Sequence, residues 1–363
     1  MDKAMSKTVR RPAPRLAGIE AYDPQYLPAG TRLSANESPY GLPEEVQQAI
    51  RERMDAVGLN RYPDPLANAL RDQIAQDLGL ERENVLIGDG GDELLFNLAL
   101  AWGGPGRTLL DFPPTFVAYG DNARITGTEI VGIPRKGGFG IDEEAALDRV
   151  AQGDIDFVAV ASPNNPTGKM ADPSFVLRLL AATDALVLVD EAYFEFAGVS
   201  AVPYLGQFKN LAVLRTFSKA YCLAGARLGY LLADADVINE LVKVRQPYSV
   251  NALSQLVGSC VYGHRACFKD QIALIVEERG RLFEGMNAMG GVEAYPSDAN
   301  FILFKTADAA AVWESLYAQG VLVRDFSHSS GLEGCLRVTV GSPQDNKAFL
   351  AALEKALEES EMI

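Results

Sequence analysis

Four short stretches set polar, reactive side chains directly against apolar runs. In "LRTFSKAYCLAGARLGY", residues 214 to 230, Lys219 sits among hydroxyl residues just before a small, glycine-containing run that leads to Arg227. A lysine amine taken out of water gives up its proton more readily and becomes a nucleophile able to form a Schiff base. Read alone, a lysine here is more often a solvated surface residue. In "ALVLVDEAYFEF" the chain is apolar through Val189 and then presents Asp190, Glu191 and Tyr193. A carboxylate at the end of a buried strand needs a cation or strong donors, although a helix N-cap would also account for Asp190. "ASPNNPTGK" places Asn164 and Asn165 between prolines, a stiff turn that can aim an amide into a cleft or serve only as a turn. "VLIGDGGDELLFNLAL" runs a strand into Gly88, Gly90 and Gly91, with a helix expected to begin near Asp92. Glycine backbone and a helix N-terminus suit a phosphate, and an ordinary strand-to-helix turn is the alternative. The spacing is neither GxGxxG nor GxxxxGK[ST], which argues against a dinucleotide or a P-loop nucleotide.

These stretches must be carried by elements that bring them together. Apolar runs, "NVLIG", "TLLDF", "TEIVGI", "DFVAVA", "ALVLVD", "LAVLRTF" and "LGYLLA", alternate with amphipathic segments. That alternation predicts an α/β fold with a mostly parallel seven-stranded sheet flanked by helices, over residues 51–279. The pattern then changes to a strand in "GGVEAYPSDANFILFK", a helix in "DAAAVWESLYAQG", strands in "VLVRDF" and "CLRVTVG", and a last helix from about Gln344. We expect a smaller α+β domain from residues 31–50 together with 280–363, packed closely on the larger one. Open α/β sheets place ligands at the carboxyl ends of their strands, where all four motifs fall.

Composition bounds the alternatives. With 363 residues the chain exceeds the roughly 250 to 300 over which one core grows, consistent with two domains. Its formal charge of −15 argues against a nucleic-acid surface, and no apolar run approaches the ~20 residues of a membrane span. The basic N-terminus, residues 1–30, lacks the apolar core of a secretory signal and reads as a mobile arm, so a cytoplasmic location is expected. Cys222, Cys260, Cys267 and Cys335 show no CxxC spacing and read as buried reduced thiols. His264 and His328 lie far apart, no metal cluster is visible, and His328 reads as a plain loop residue.

Taken together and in order, "LSANESPYG", "RYPDP", "GDGGDEL", "SPNNPTG", "VDEAYFEF", "RTFSKAYCLAGARLGY", "RQPYSV", "DANFILF", "VLVRDF" and "LRVTVG" resemble the aspartate-aminotransferase-like superfamily of pyridoxal-phosphate enzymes. Within it the likeness is to the histidinol-phosphate aminotransferases and covers nearly the whole chain. Cys222 stands where many relatives have glycine, and Ser38 replaces a common asparagine; neither touches a proposed catalytic atom.

The resemblance implies pyridoxal 5'-phosphate as cofactor and assigns roles. Lys219 would bond the cofactor aldehyde and shuttle a proton. Asp190 would keep the pyridine nitrogen protonated, and Asn165 and Tyr193 would donate to the phenolic oxygen. Phe116, in "PPTFVAYG", would stack on the ring. The phosphate would be held by Gly91, Asp92, Thr216, Ser218 and Arg227, with Tyr62 of "RYPDP" reaching in from the partner of a homodimer. Arg324 and Arg337 would capture substrate anions, with Asn36 beside them, although a structural salt bridge is open for either arginine. The implied reaction is transamination between histidinol phosphate or imidazole-acetol phosphate and glutamate or 2-oxoglutarate, in histidine biosynthesis. An aromatic amino-acid aminotransferase is the nearest alternative, followed by a threonine-phosphate decarboxylase and a non-catalytic cofactor-binding regulator.

Overall fold

The computed structural model describes residues 10–16, 19, 21, 23 and 27–361. The remainder of the expected N-terminal arm lies outside the described residues. Its described part includes a 3-10 turn, Pro14–Leu16, and Arg15 Nε donates to the Ile125 carbonyl at 2.8 Å. A short strand β1 (Thr31–Arg32) follows, then seven strands that form the main sheet: β2 (Val85–Asp89), β3 (Thr108–Asp111), β4 (Glu129–Gly132), β5 (Phe157–Ala161), β6 (Leu186–Asp190), β7 (Leu211–Thr216) and β8 (Leu228–Ala233). Every one of the seven apolar runs is a strand.

The sheet order is β2-β8-β7-β6-β5-β3-β4. All pairings are parallel except those of β8, which runs antiparallel to both β2 and β7. β5 to β8 are buried along their whole length. Side chains alternate across a strand, so continuous apolar runs serve two cores. Val158, Val160, Val187, Val189 and Val213 enter one core, and Ala159, Leu188, Ala212 and Leu214 enter the other. Because β8 alone is reversed, its start lies at the same edge as the ends of β2 and β7. Asp89 pairs with Leu228, Gly229 with Thr216, and Leu214 with Asp190. One edge of the sheet therefore gathers the loops after β2, β3, β5, β6 and β7.

A second, four-stranded antiparallel sheet has the order β12-β13-β10-β9, from β9 (Val292–Ala294), β10 (Phe301–Thr306), β12 (Arg324–Asp325) and β13 (Cys335–Thr339). β11 (Val321–Leu322) pairs instead with β1, in parallel. "VLVRDF" is thus not one strand but two, split at Val323 between two sheets. Val321, Val323 and Leu33 all bury in the core of this second unit, and the half-buried Arg324 starts the strand beside β13. The helix after β2 begins at Gly90 rather than Asp92, since Gly90 takes φ +77° and turns the chain directly out of the strand. Val46, in the helix Glu44–Met54, packs in the first core, while Ile275, in the helix Lys269–Asn287, packs in the second. The two cores therefore cross the expected limits at residues 50 and 279. Among the described residues no helix is long and apolar enough to cross a membrane.

Candidate active site

Asp190 closes β6 and Lys219 follows the end of β7, the adjacent strand. Asp190 is buried. Its Oδ2 accepts from the Tyr119 hydroxyl at 2.6 Å and its Oδ1 from the Ala192 N–H at 3.0 Å. Burial pushes the carboxyl up to about 6, against the pull of these two donors. The partner demanded by its burial is thus a tyrosine, and the capping alternative accounts for only one oxygen. Tyr119 was not among the expected residues. It lies in the helix Val117–Thr126, three residues after the N-cap residue Phe116, and the two rings meet edge to face at 5.8 Å.

Lys219 Nζ donates to the Ala35 carbonyl at 3.0 Å and lies 6.0 Å from the centre of the Tyr193 ring. Loss of hydration, then the nearby Arg337 guanidinium, pushes its amine down to about 8. Behind these strand ends a second pair fixes their spacing. Arg215 Nε donates to Glu191 Oε2 at 3.0 Å, Ser200 Oγ donates to the same oxygen at 2.9 Å, and the guanidinium lies 3.5 Å over the Phe194 ring.

Around this pair lies a cup suited to an anion. The helix Gly90–Trp102 starts at the site with its N–H groups unpaired within the helix. A Cβ at Gly229 would fall 2.8 Å from the backbone atoms Gly90 C and Gly91 N, so a residue without a side chain lets the strand approach the helix start this closely. Thr216 Oγ1 and Ser218 Oγ are 3.0 Å apart, and Arg227 Nη2 donates to Asp92 Oδ2 at 2.7 Å. The amine, the buried carboxylate and the glycine-walled cup fit a phosphorylated aromatic aldehyde. Among the described residues no group of His, Cys, Asp and Glu could hold a metal ion.

The segment 34–36 crosses above. Arg337 Nη2 donates to the Ser34 carbonyl at 2.7 Å and Nη1 to Asn165 Oδ1, while its guanidinium lies 5.1 Å from the Phe301 ring centre. Arg324 pairs directly opposite Arg337 across β12 and β13, and its Nη2 donates to the Asp23 carbonyl at 2.9 Å. The two arginines thus flank one another on neighbouring strands. Asn36, expected to contact substrate, is instead 1% exposed with its polar atoms committed to protein groups. Tyr62 also stands apart: it is 81% exposed and stacked on Tyr248 at 4.5 Å. Of the four cysteines, all free, Cys260 and Cys335 are buried while Cys222 and Cys267 are only partly so. His328 lies in an exposed turn, as expected.

Residues 28–353 match the family model for aminotransferase class I and II. The chain is 40% identical over 342 residues to histidinol-phosphate aminotransferase 1 of Carboxydothermus hydrogenoformans, covering 94% of this chain and 97% of that protein. Its fold is similar to the crystal structure of histidinol-phosphate aminotransferase from Sinorhizobium meliloti in complex with pyridoxal-5'-phosphate, with a TM-score of 0.88, 24% identity, and 97% and 99% of the two chains covered. It is also similar to L-threonine-O-3-phosphate decarboxylase from Porphyromonas gingivalis, with a TM-score of 0.80, 26% identity, and 90% and 99% covered.

Proposed function

The chain belongs to the aminotransferase class I and II family, and from that premise we propose that it is a histidinol-phosphate aminotransferase that uses pyridoxal 5'-phosphate and glutamate. When bound, that cofactor supplies an electron sink for the carbanion formed as the substrate carbon loses its proton. Lys219 Nζ would hold it covalently and is the amine that would carry the proton at the substrate carbon. Asp190 would keep the pyridine nitrogen protonated, with the Tyr119 hydroxyl fixing the carboxylate's direction. Tyr193 and Asn165 would hold the phenolic oxygen, and Phe116 would stack on the ring. The amides at Gly91 and Asp92, the hydroxyls of Thr216 and Ser218, and Arg227 receive the phosphate.

The observation that carries the reading is the pair of neighbouring strand ends, one bearing an amine pushed down to about 8 and the next a buried carboxyl pushed up to about 6. Oppositely perturbed acid and base groups side by side are a signature of proton-transfer sites. Arg337 and Arg324, facing each other across two strands, favour substrates with two anionic ends over an aromatic amino acid. The relative named above is a histidinol-phosphate aminotransferase by name, which supports this reading. We further propose a cytoplasmic homodimer in which the exposed Tyr62 of the partner subunit completes the phosphate cup.

Borohydride reduction of the chain loaded with pyridoxal phosphate should fix a pyridoxyl group on Lys219. Histidinol phosphate should exceed phenylalanine in kcat/KM by at least the ten- to hundredfold expected of one charged hydrogen bond. A preference for phenylalanine would move the assignment to the aromatic aminotransferases. Carbon dioxide release from threonine phosphate would make it a decarboxylase, and binding without turnover would make it a regulator.

A further inference from the structure

Asn36 has φ +56°, in the left-handed region that asparagine tolerates better than most residues. Its main-chain N–H donates to Thr339 Oγ1 at 2.9 Å, and its carbonyl accepts from Asn300 Nδ2 at 3.0 Å. Thr339 Oγ1 also lies 3.2 Å from Asn36 Oδ1, and Asn36 Nδ2 lies 2.9 Å from the Tyr193 hydroxyl. Chemistry orders these bonds. A main-chain N–H can only donate, so the Thr339 hydroxyl accepts there, and its single proton goes to Asn36 Oδ1, the amide atom that faces it. That turns Oδ1 toward Thr339 and Nδ2 toward Tyr193. Nδ2 can only donate in its turn, so the Tyr193 oxygen accepts on this side and gives its proton in another direction.

We propose that Asn36 and Thr339 are positioning residues that make the Tyr193 hydroxyl a donor toward the group carried by Lys219. The inference rests on the proposed function. It deepens it by assigning Asn36 to Tyr193 rather than to substrate. The geometry is local: Lys219 Nζ bonds the carbonyl of Ala35, the residue before Asn36, and the Tyr193 ring is held edge to face against Phe301 at 5.1 Å. A tyrosine hydroxyl is ambivalent, able to donate to or accept from a ring oxygen. Only donation favours the anionic oxygen, and it lowers the pH at which the neighbouring lysine linkage takes up a proton. With the amide locked by Thr339, Tyr193 cannot spend its proton on Asn36.

Thr339→Val keeps the side-chain shape and removes the hydroxyl. The Asn36 amide can then turn Oδ1 toward Tyr193, which donates to it instead of toward the cofactor. The measurement is the pH midpoint of the visible absorbance of the full chain loaded with pyridoxal phosphate. The midpoint should rise by about one unit in Thr339→Val, as for loss of one hydrogen bond to a charged group. Thr339→Ser should retain the wild-type midpoint. In a Tyr193→Phe background, Thr339→Val should add no further shift. If Thr339→Val fails to fold, Thr339→Ala removes the same hydroxyl and reads the same midpoint. An unchanged midpoint in the hydroxyl-less variant beside a raised one in Tyr193→Phe overturns the inference, as does an added shift in the Tyr193→Phe background. A wild-type chain that develops no Lys219-dependent absorbance overturns the proposed function instead.

Discussion

Lys219 and Asp190 both meet the same physical force, loss of water, with opposite results. For the amine the charged form is penalised and the proton is held less tightly; for the carboxyl the charged form is also penalised and the proton is held more tightly. The Lys219 amine therefore stands at about 8, below the ordinary 10.5, so its neutral, nucleophilic form dominates above about pH 8. The rate at which the cofactor-free chain captures pyridoxal phosphate should rise about tenfold from pH 7 to pH 9 and then level off, following the neutral fraction. Stopped-flow absorbance would check this. A rate still climbing tenfold per unit above pH 9 would mean an ordinary, hydrated lysine. Both residues were legible in the sequence because each ends an apolar run. Tyr119 was not, because a tyrosine inside a helix carries no mark of the carboxylate that it meets 71 positions away.

At the scale of elements, the site depends on β8 and the helix after β2 coming closer than side chains allow. A Cβ at Gly229 would meet Gly90 C and Gly91 N, both backbone atoms, at 2.8 Å. Backbone cannot move aside as a flexible side chain does. Gly229→Ala should therefore push the start of the helix away from Thr216 and Ser218, costing roughly 1 to 3 kcal/mol in denaturant unfolding, as overpacking does. Because the displaced amides are those of the proposed phosphate cup, affinity for pyridoxal phosphate should fall at least tenfold in the same variant. Wild-type affinity with lowered stability would separate the packing role from the cup. The strand-to-glycine transition was readable from "VLIGDGG", since only glycine leaves the strand at φ +77° as Gly90 does. The helix start was read two residues late. The residue that enforces Gly229 is not its neighbour in sequence, so no local pattern announces it.

Across the whole molecule, the second sheet supplies Arg337 to the loop after β5 of the first, and the segment 34–36 ties the two units together. The proposed homodimer would make Tyr62 of the partner subunit part of each site, which explains a tyrosine that is 81% exposed and stacked on another half-exposed one. Mixing Lys219→Ala and Tyr62→Ala chains tests that arrangement. If Tyr62 acts across the interface, random reassortment leaves half the dimers mixed, and one of the two sites in each is free of both lesions. The intact sites alone should then supply about a quarter of the wild-type activity, where neither variant by itself has an intact site. Simple averaging of the two parent activities, with a monomer in sedimentation, would remove the partner from the site.

The sequence by itself determined the strands, because a strand buried on both faces must be apolar throughout and "LVLVD" or "LGYLLA" allows little else. It likewise pointed to the loops proposed to bear chemistry, since a charged residue closing such a run is costly without a purpose. Tertiary structure alone decided the partners. Thr339 meets Asn36 across 303 positions, Ser34 meets Arg337 across the same distance, and "VLVRDF" divides between two sheets because Val321 and Val323 are drawn into a core while Arg324 aligns with Arg337. Hydrogen-bond direction and strand register are set by packing between distant segments, and that information has no period or spacing along the chain.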